Sequence, residues 1–330
     1  MKTLVVGHIT HDYYGDEVVA GGCAFYGARV HAALAEQAKR EDGANLSVHL
    51  VAVAGDDFGC AHEVADLDLT LHQAGETTVF ANYYPTDKPR VQLLKALAGP
   101  VLPKMVPPEW MQADLIHLAP VLGEIDLETW KTAIREVNPD ALIAINIQGW
   151  IKRAGPLFKG DDFPGARRVV QEYWGVVAED FRGVDIACLS EEDVIGQPGL
   201  LEKLTEAVPL VAFTRGELGS QIFVYGEPVE VGIYPTEASD PTGAGDVFAA
   251  SFAHRVALGE DMIAAARFAA AAASIVVEGR GARALSRIDE AVARAEQVPA
   301  DALDLGEEDY GDDDDDDYDE FEFCGEVHDD

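Results

Sequence analysis

Short apolar runs separated by longer stretches of helical period recur along this 330-residue chain. That alternation limits the fold more than any other feature. Residues 3–7, 47–54, 115–119, 142–147, 186–189 and 210–214 read as buried strands. Residues 23–39, 126–137 and 166–178 between them read as helices. Strand–helix alternation implies a mostly parallel sheet with helices on both faces, an α/β/α sandwich. After a last strand at 221–225, three helical patterns follow at 243–258, 261–277 and 286–297, the middle one rich in alanine.

Two segments break the alternation. Residues 13–20 form a second extended stretch straight after the first strand, and 77–84 and 89–96 read as two strands joined by Pro85-Thr86-Asp87-Lys88. They predict a small antiparallel layer beside the main sheet, placed to cover a site at the strand ends. Edge decoration of the main sheet is the plainer alternative.

Charge separates the C-terminus from the rest. The chain carries 24 Lys+Arg against 60 Asp+Glu, a formal charge of −36, and residues 301–330 hold 17 of those acids with no Lys or Arg. A run of six aspartates, Asp312 to Asp317, repels itself and stays solvated. Residues 301–330 are therefore expected to be an acidic, disordered tail, and 1–300 a single large domain. The aspartate run lacks the glycine and spaced ligands of a calcium loop. The body is acidic too, which argues against nucleic acid as a partner. No apolar run reaches ~18 uncharged residues, so no membrane span is expected. Residues 264–277 are the longest candidate and contain Arg267. The N-terminus reads as a strand rather than a signal peptide. Four cysteines without paired spacing indicate neither zinc nor disulfides, so the expected location is the cytoplasm.

The most informative stretch is Asp240-Pro241-Thr242-Gly243-Ala244-Gly245-Asp246, which opens a helical pattern. Small residues there let backbone N–H groups approach an anion, and the helix N-terminus adds partial positive charge. Asp246 in the first turn is placed to accept a proton from an attacking hydroxyl. A plain helix-capping role is the alternative. A Walker-type phosphate loop is absent, and the third glycine of a dinucleotide fingerprint is missing.

This run resembles the C-terminal signature of the ribokinase-like (PfkB) carbohydrate kinases. Other pieces fall in that family's order: Gly7 to Asp12 followed by Gly21-Gly22, Gly55-Asp56-Asp57-Phe58-Gly59, and Thr214-Arg215-Gly216-Glu217-Leu218-Gly219. The resemblance spans about residues 1–296. It implies a ribokinase-like three-layer α/β/α fold with a mostly parallel central sheet and a small β-strand lid built from about 13–20 and 77–96. It implies transfer of the ATP γ-phosphoryl group to a substrate hydroxyl, with Mg2+. In that scheme Asp246 is the base, and Gly243, Ala244 and Gly245 stabilise the phosphoryl group. Asp12, Gly21 and Gly22 hold substrate. Ser190, Thr214, Gly216, Gly219, Ala273, Gly279 and Gly281 line the nucleotide site. A homodimer through the lid is compatible with the same resemblance.

Two positions depart from the family pattern. Ser190-Glu191-Glu192-Asp193 stands where Asn-x-x-Glu is usual, leaving Asp193 as the metal-side acid. Tyr26 stands where many members carry Asn. Other stretches, among them His8-x-x-His11-Asp12, Thr77-Thr78-Val79-Phe80 and Asn146-x-Gln148-Gly149, are similar to myo-inositol kinases. That likeness points to a sugar, polyol or cyclitol substrate, with Asp12, Asn82, Arg90 and Gln148 as candidate contacts. A nucleoside kinase and a non-catalytic ligand-binding protein acting through its acidic tail are the rivals. His8 and His11 are expected to hydrogen-bond at a strand end, since a strand places positions three apart on opposite faces. Arg215 is left between a phosphate contact and a surface ion pair.

Overall fold

The computed structural model of the chain describes residues 1–15, 17–73, 75–83, 91–160 and 163–301. Arg90, the 85–88 connection and residues 302–330 of the acidic tail lie outside the described residues. In chain order the strands are β1 (Lys2–His8), β2 (Thr10–Tyr14), β3 (Glu17–Gly21), β4 (Ser47–Ala54), β5 (Leu69–Gln73), β6 (Thr78–Tyr83) and β7 (Val91–Ala96). Then come β8 (Leu115–Leu118), β9 (Leu142–Asn146), β10 (Lys152–Leu157), β11 (Arg167–Gln171), β12 (Ile186–Ser190), β13 (Leu210–Thr214), β14 (Ser220–Val224) and β15 (Glu227–Val231). The helices are α1 (Cys23–Asp42), α2 (Leu127–Val137), α3 (Gln148–Ile151), α4 (Leu200–Ala207), α5 (Ala244–Ala257), α6 (Met262–Val276) and α7 (Glu290–Ala295).

Nine strands make the central sheet in the order β15-β14-β13-β12-β9-β8-β1-β4-β5. From β13 to β5 every neighbouring pair is parallel, and β14 and β15 extend one edge antiparallel. Alternate residues of β1 enter opposite cores: Val5 joins side chains of α1, α5 and α6, while Leu4 and Val6 join those of α2 and α4. That is the period-two pattern of a strand buried on both faces, and it explains why these runs read as continuously apolar. Among the described residues, no helix is long and apolar enough to cross a membrane.

The second sheet has six strands in the order β10-β11-β7-β6-β2-β3. Of the stretches expected to be extended, the described parts are in it: the first within the β2–β3 hairpin, the other two as β6 and β7. The expected helix over 166–178 is not formed. Arg167–Gln171 is instead a strand held between β10 and β7. Val169 and Val170 favour extended backbone, and two pairing partners outweigh a weak helical period. The last expected helix, 286–297, shortens to α7 after a 3-10 turn at Arg283–Arg287.

Candidate active site

A cavity of about 700 Å³ opens at the carboxyl ends of the parallel strands, beside the second sheet. Strand ends of such sheets are where α/β proteins bind ligands. Asp12 and Asn82, both on the second sheet, Ala270 and Ala273 of α6 with the following Val277, and Asp246 of α5 all line it.

The Asp246 wall follows from local backbone needs. Gly243 is the N-cap of α5 at φ 85°, a left-handed conformation that side chains disfavour. A Cβ there would also lie 2.5 Å from Cε1 of Tyr26, whose buried ring supports the turn. Thr242 N–H donates to Asp240 Oδ1 at 3.0 Å, closing the preceding turn. Ala244 N–H donates to Pro241 O at 3.2 Å. The N–H groups of Gly245 and Asp246 belong to the first helical turn, where no intrahelical acceptor exists. Expected anion-binding amides and expected base therefore occupy one turn.

Asp246 is only partly exposed. Two side-chain amides reach the same oxygen, Oδ1: Asn146 Nδ2 at 3.1 Å and Gln148 Nε2 at 3.1 Å. Burial pushes the Asp246 carboxyl above its ordinary range; the Cys23 thiol, Lys152 and Asn146 pull it back, and Asp193 adds to the rise. Cys23 Sγ accepts from Gln148 Nε2 at 2.7 Å, and burial pushes its thiol well up, so it stays a thiol. Lys152 Nζ donates to Gln148 Oε1 at 2.6 Å. Lys152 is the only Lys or Arg lining the cavity among the described residues.

Most of the sequence-derived candidates meet here. Asp12, Gly22, Asn82, Gln148, Ser190, Asp193, Thr214, Gly216, Gly219, Gly243, Ala244, Gly245, Asp246 and Ala273 all line the cavity. Gly21 sits behind it, where a Cβ would overlap the Asp12 carboxylate. Asn82 Oδ1 is buried without a hydrogen-bond partner. Gln148 is not simply a substrate contact, because its amide already ties Asp246 to Lys152. Gly279 and Gly281 are not among the lining residues; Gly281 faces Val19 of β3. Asp193, 6% exposed, accepts from Ser190 N at 2.8 Å and Ser190 Oγ at 2.9 Å. No group of three or more potential metal-ligating side chains gathers among the described residues. Arg215 pairs with Glu230. His8 bonds Thr78 Oγ1 and Gly99 O, and His11 Nε2 accepts from Gly59 N, so both make the expected strand-end hydrogen bonds.

Sequence reasoning passed over Lys152. Its signal was spacing: positions 148 and 152 are four apart, and the α3 turn brings such positions together. Asn146 entered only through the likeness to myo-inositol kinases, and its contact with Asp246 was not foreseen.

Residues 180–289 match the model of the pfkB family carbohydrate kinases. A ribokinase of Arabidopsis thaliana is 45% identical over 77 residues, 23% of this chain and 20% of that protein. A nucleoside kinase of Methanothermobacter thermautotrophicus is 40% identical over 72 residues, 22% of this chain and 23% of that protein. The chain thus matches only about a fifth to a quarter of the length of these relatives. In fold, it superposes on a pyrophosphate-dependent kinase of the ribokinase family complexed with a pyrophosphate analog and myo-inositol. That likeness has TM-score 0.66 and 18% identity, and covers 84% of this chain and 95% of that one. Arabidopsis thaliana ribokinase complexed with ribose and ATP gives TM-score 0.62 and 19% identity over 89% of this chain and 98% of that one.

Proposed function

We propose that this chain, a ribokinase-like member of the PfkB carbohydrate kinases, moves the γ-phosphoryl group of ATP to a hydroxyl of a small sugar, polyol or cyclitol. The observation that carries the reading is the continuity of the cavity. One space is lined by the polar Asp12 and Asn82, by the carboxylate of Asp246 and by the apolar Ala270, Ala273 and Val277. Acceptor, base and donor can thus share one space, as phosphoryl transfer requires.

In this reading Asp12 and Asn82 hold substrate hydroxyls, and β2, β3, β6 and β7 act as the lid. Asp246 takes the proton of the attacking hydroxyl, whose oxygen bonds to the γ-phosphorus as the bond to the β-phosphate oxygen breaks. Charge on the transferring group meets the amides of the Gly243–Gly245 turn and the Lys152 ammonium. The apolar part of this lining has the character of a purine site, which favours ATP over pyrophosphate as donor. Mg2+ binds mainly through substrate phosphates and water, with one or two carboxylates, and the pocket acids Glu191, Glu192 and Asp193 fit that modest demand. It would neutralise charge on the donor phosphates. The cytoplasm is the setting this chemistry suits.

The test is a matrix of donors and acceptors. Ribose, myo-inositol, other polyols and nucleosides are incubated with Mg2+ and either ATP or pyrophosphate, and products are read by 31P NMR. Product from ATP and a polyol or sugar is expected. Turnover with pyrophosphate alone would reassign the donor, and turnover with nucleosides alone the acceptor. No product in any combination would leave a ligand-binding protein as the better reading.

A further inference from the structure

Behind Asp246, three histidines that phosphoryl transfer does not use form a continuous hydrogen-bonded line through the core. His31 comes from α1, His117 from β8 and His254 from α5, and they are 0%, 1% and 1% exposed. His254 Nδ1 lies 3.0 Å from His31 Nδ1, and His31 Nε2 lies 3.3 Å from His117 Nδ1. His117 Nε2 lies 2.9 Å from Asn146 Oδ1, and Asn146 Nδ2 reaches Asp246 Oδ1 at 3.1 Å.

A single arrangement of protons satisfies this line. An ionised Asp246 can only accept, so the Asn146 NH2 faces it and the Asn146 oxygen faces His117. His117 then carries its proton on Nε2 and leaves Nδ1 bare. His31 must carry its proton on Nε2, and His254 on Nδ1. The line ends at His254 Nε2, which is buried without a partner. A bare nitrogen tolerates that isolation better than an N–H, because buried orphan N–H groups are the rarer case. The reverse arrangement would strand an N–H there and turn the Asn146 oxygen against the Asp246 carboxylate.

We propose that His254, His31 and His117 form a one-way positioning relay that locks the Asn146 amide with its NH2 toward Asp246. The proposal rests on Asp246 being the base. Asn146 touches the base; the histidines act through it and are positioning residues. Burial lowers all three histidines, His254 to about 3, so each is neutral when the base works. A neutral imidazole has one donor and one acceptor, which gives the line its direction; a charged one would have two donors. The other ionisable groups acting on Asp246 include Lys152, Cys23, Asp193 and Tyr26, and those acting on His254 include Arg255 and the chain's amino terminus. All stay in place in the variants below.

Two measurements test the relay. In the unaltered protein with 15N-labelled histidine, long-range 1H–15N spectra should show Nε2–H on His31 and His117 and Nδ1–H on His254. The pH profile of kcat/KM is then compared for His117→Leu and His117→Gln. Leucine frees the Asn146 amide to turn. The acid limb should then move up by about 0.5–1 pH unit and kcat fall about tenfold, with KM little changed. Glutamine can accept from His31 and donate to Asn146, and should restore both values to within about twofold of the parent. Another set of tautomers, or an acid limb that leucine does not move, overturns the relay. The tautomer result decides alone if the variants fail to fold. Lack of turnover in the unaltered protein would instead sink the phosphotransfer reading and leave the tautomer result standing.

Discussion

Two carboxylates of the cavity, Asp246 and Asp193, are both pushed up by burial yet are held in different ways. Asp246 receives amides from one segment far away in sequence, Asn146 and Gln148, and part of it faces the cavity. Asp193 accepts twice from Ser190, three residues away, and is almost wholly enclosed. Burial alone does not mark a reactive group. What distinguishes Asp246 is that tertiary structure holds it open toward a ligand, whereas Asp193 closes its own turn.

The sharpest way to break that contrast is to neutralise Asp246. Asp246→Asn should lower kcat by about 10³–10⁴-fold, the upper range for a general base, while ATP binding measured by calorimetry is kept. In the parent enzyme the carboxyl must be ionised to act. With its pKa raised by burial, the acid limb of kcat/KM should lie above the ordinary carboxylate range. Activity that survives the substitution would make Asp246 an equal of Asp193.

The contrast was only half legible in the sequence. The glycine-alanine-glycine run before Asp246 is a local signal, because a left-handed N-cap and close-approaching amides require small residues at consecutive positions. The inner strands of the central sheet were legible for a similar reason, being apolar without interruption, whereas the partly exposed edge strands β5 and β15 were not read. The support behind Asp246 was not. Asn146, His117, His31 and His254 are spread over more than two hundred residues, on four elements, and only the packed fold makes them neighbours. The second sheet failed partway for a related reason. β10 and β11 are partly exposed, their composition is mixed, and pairing rather than period decides them.

Acid titration sharpens the comparison next, because the histidine line stands behind Asp246 and not behind Asp193. Each histidine is lowered by burial, so the unfolded chain binds more protons below pH 6.5. Stability is full above that pH and falls as pH drops, by about 1.4 kcal/mol per histidine per pH unit. The raised carboxylates of Asp246 and Asp193 act in the opposite direction at lower pH. Urea unfolding at pH 7.5 and 5.5 should differ by about 3–4 kcal/mol, and His254→Phe should remove roughly a third of the difference. Equal stabilities at the two pH values would mean that the histidines take up protons as readily in the fold as in the unfolded chain.

Lys152 touches both sides of the contrast, since its ammonium pulls Asp246 and Asp193 down alike. As the lone cation of the described cavity wall, it should count mainly in the transition state. Lys152→Met should cost about 10²-fold in kcat. Steady-state kinetics with saturating donor would show it. A change confined to KM would make the lysine a ground-state anchor for the donor.

The smallest effect is expected at Asp193 itself. Asn in its place keeps one acceptor oxygen for the two Ser190 donors and loses the charge that strengthens both bonds. The turn at Ser190–Asp193 should loosen by about 1–2 kcal/mol in urea unfolding. Ser190 lines the cavity, so a looser turn should weaken donor binding, and KM for the donor should rise more than kcat falls. The titration direction gives a second handle. Burial raises the Asp193 carboxyl, so in the parent the folded state holds its proton to a higher pH than the unfolded chain does, and that difference favours the fold as pH drops. The penalty of Asp193→Asn should therefore depend on pH, because asparagine cannot titrate. A pH-independent penalty, together with a kcat loss as large as that of Asp246→Asn, would show that Asp193 belongs with the reacting groups and that local turn closure is not its main work.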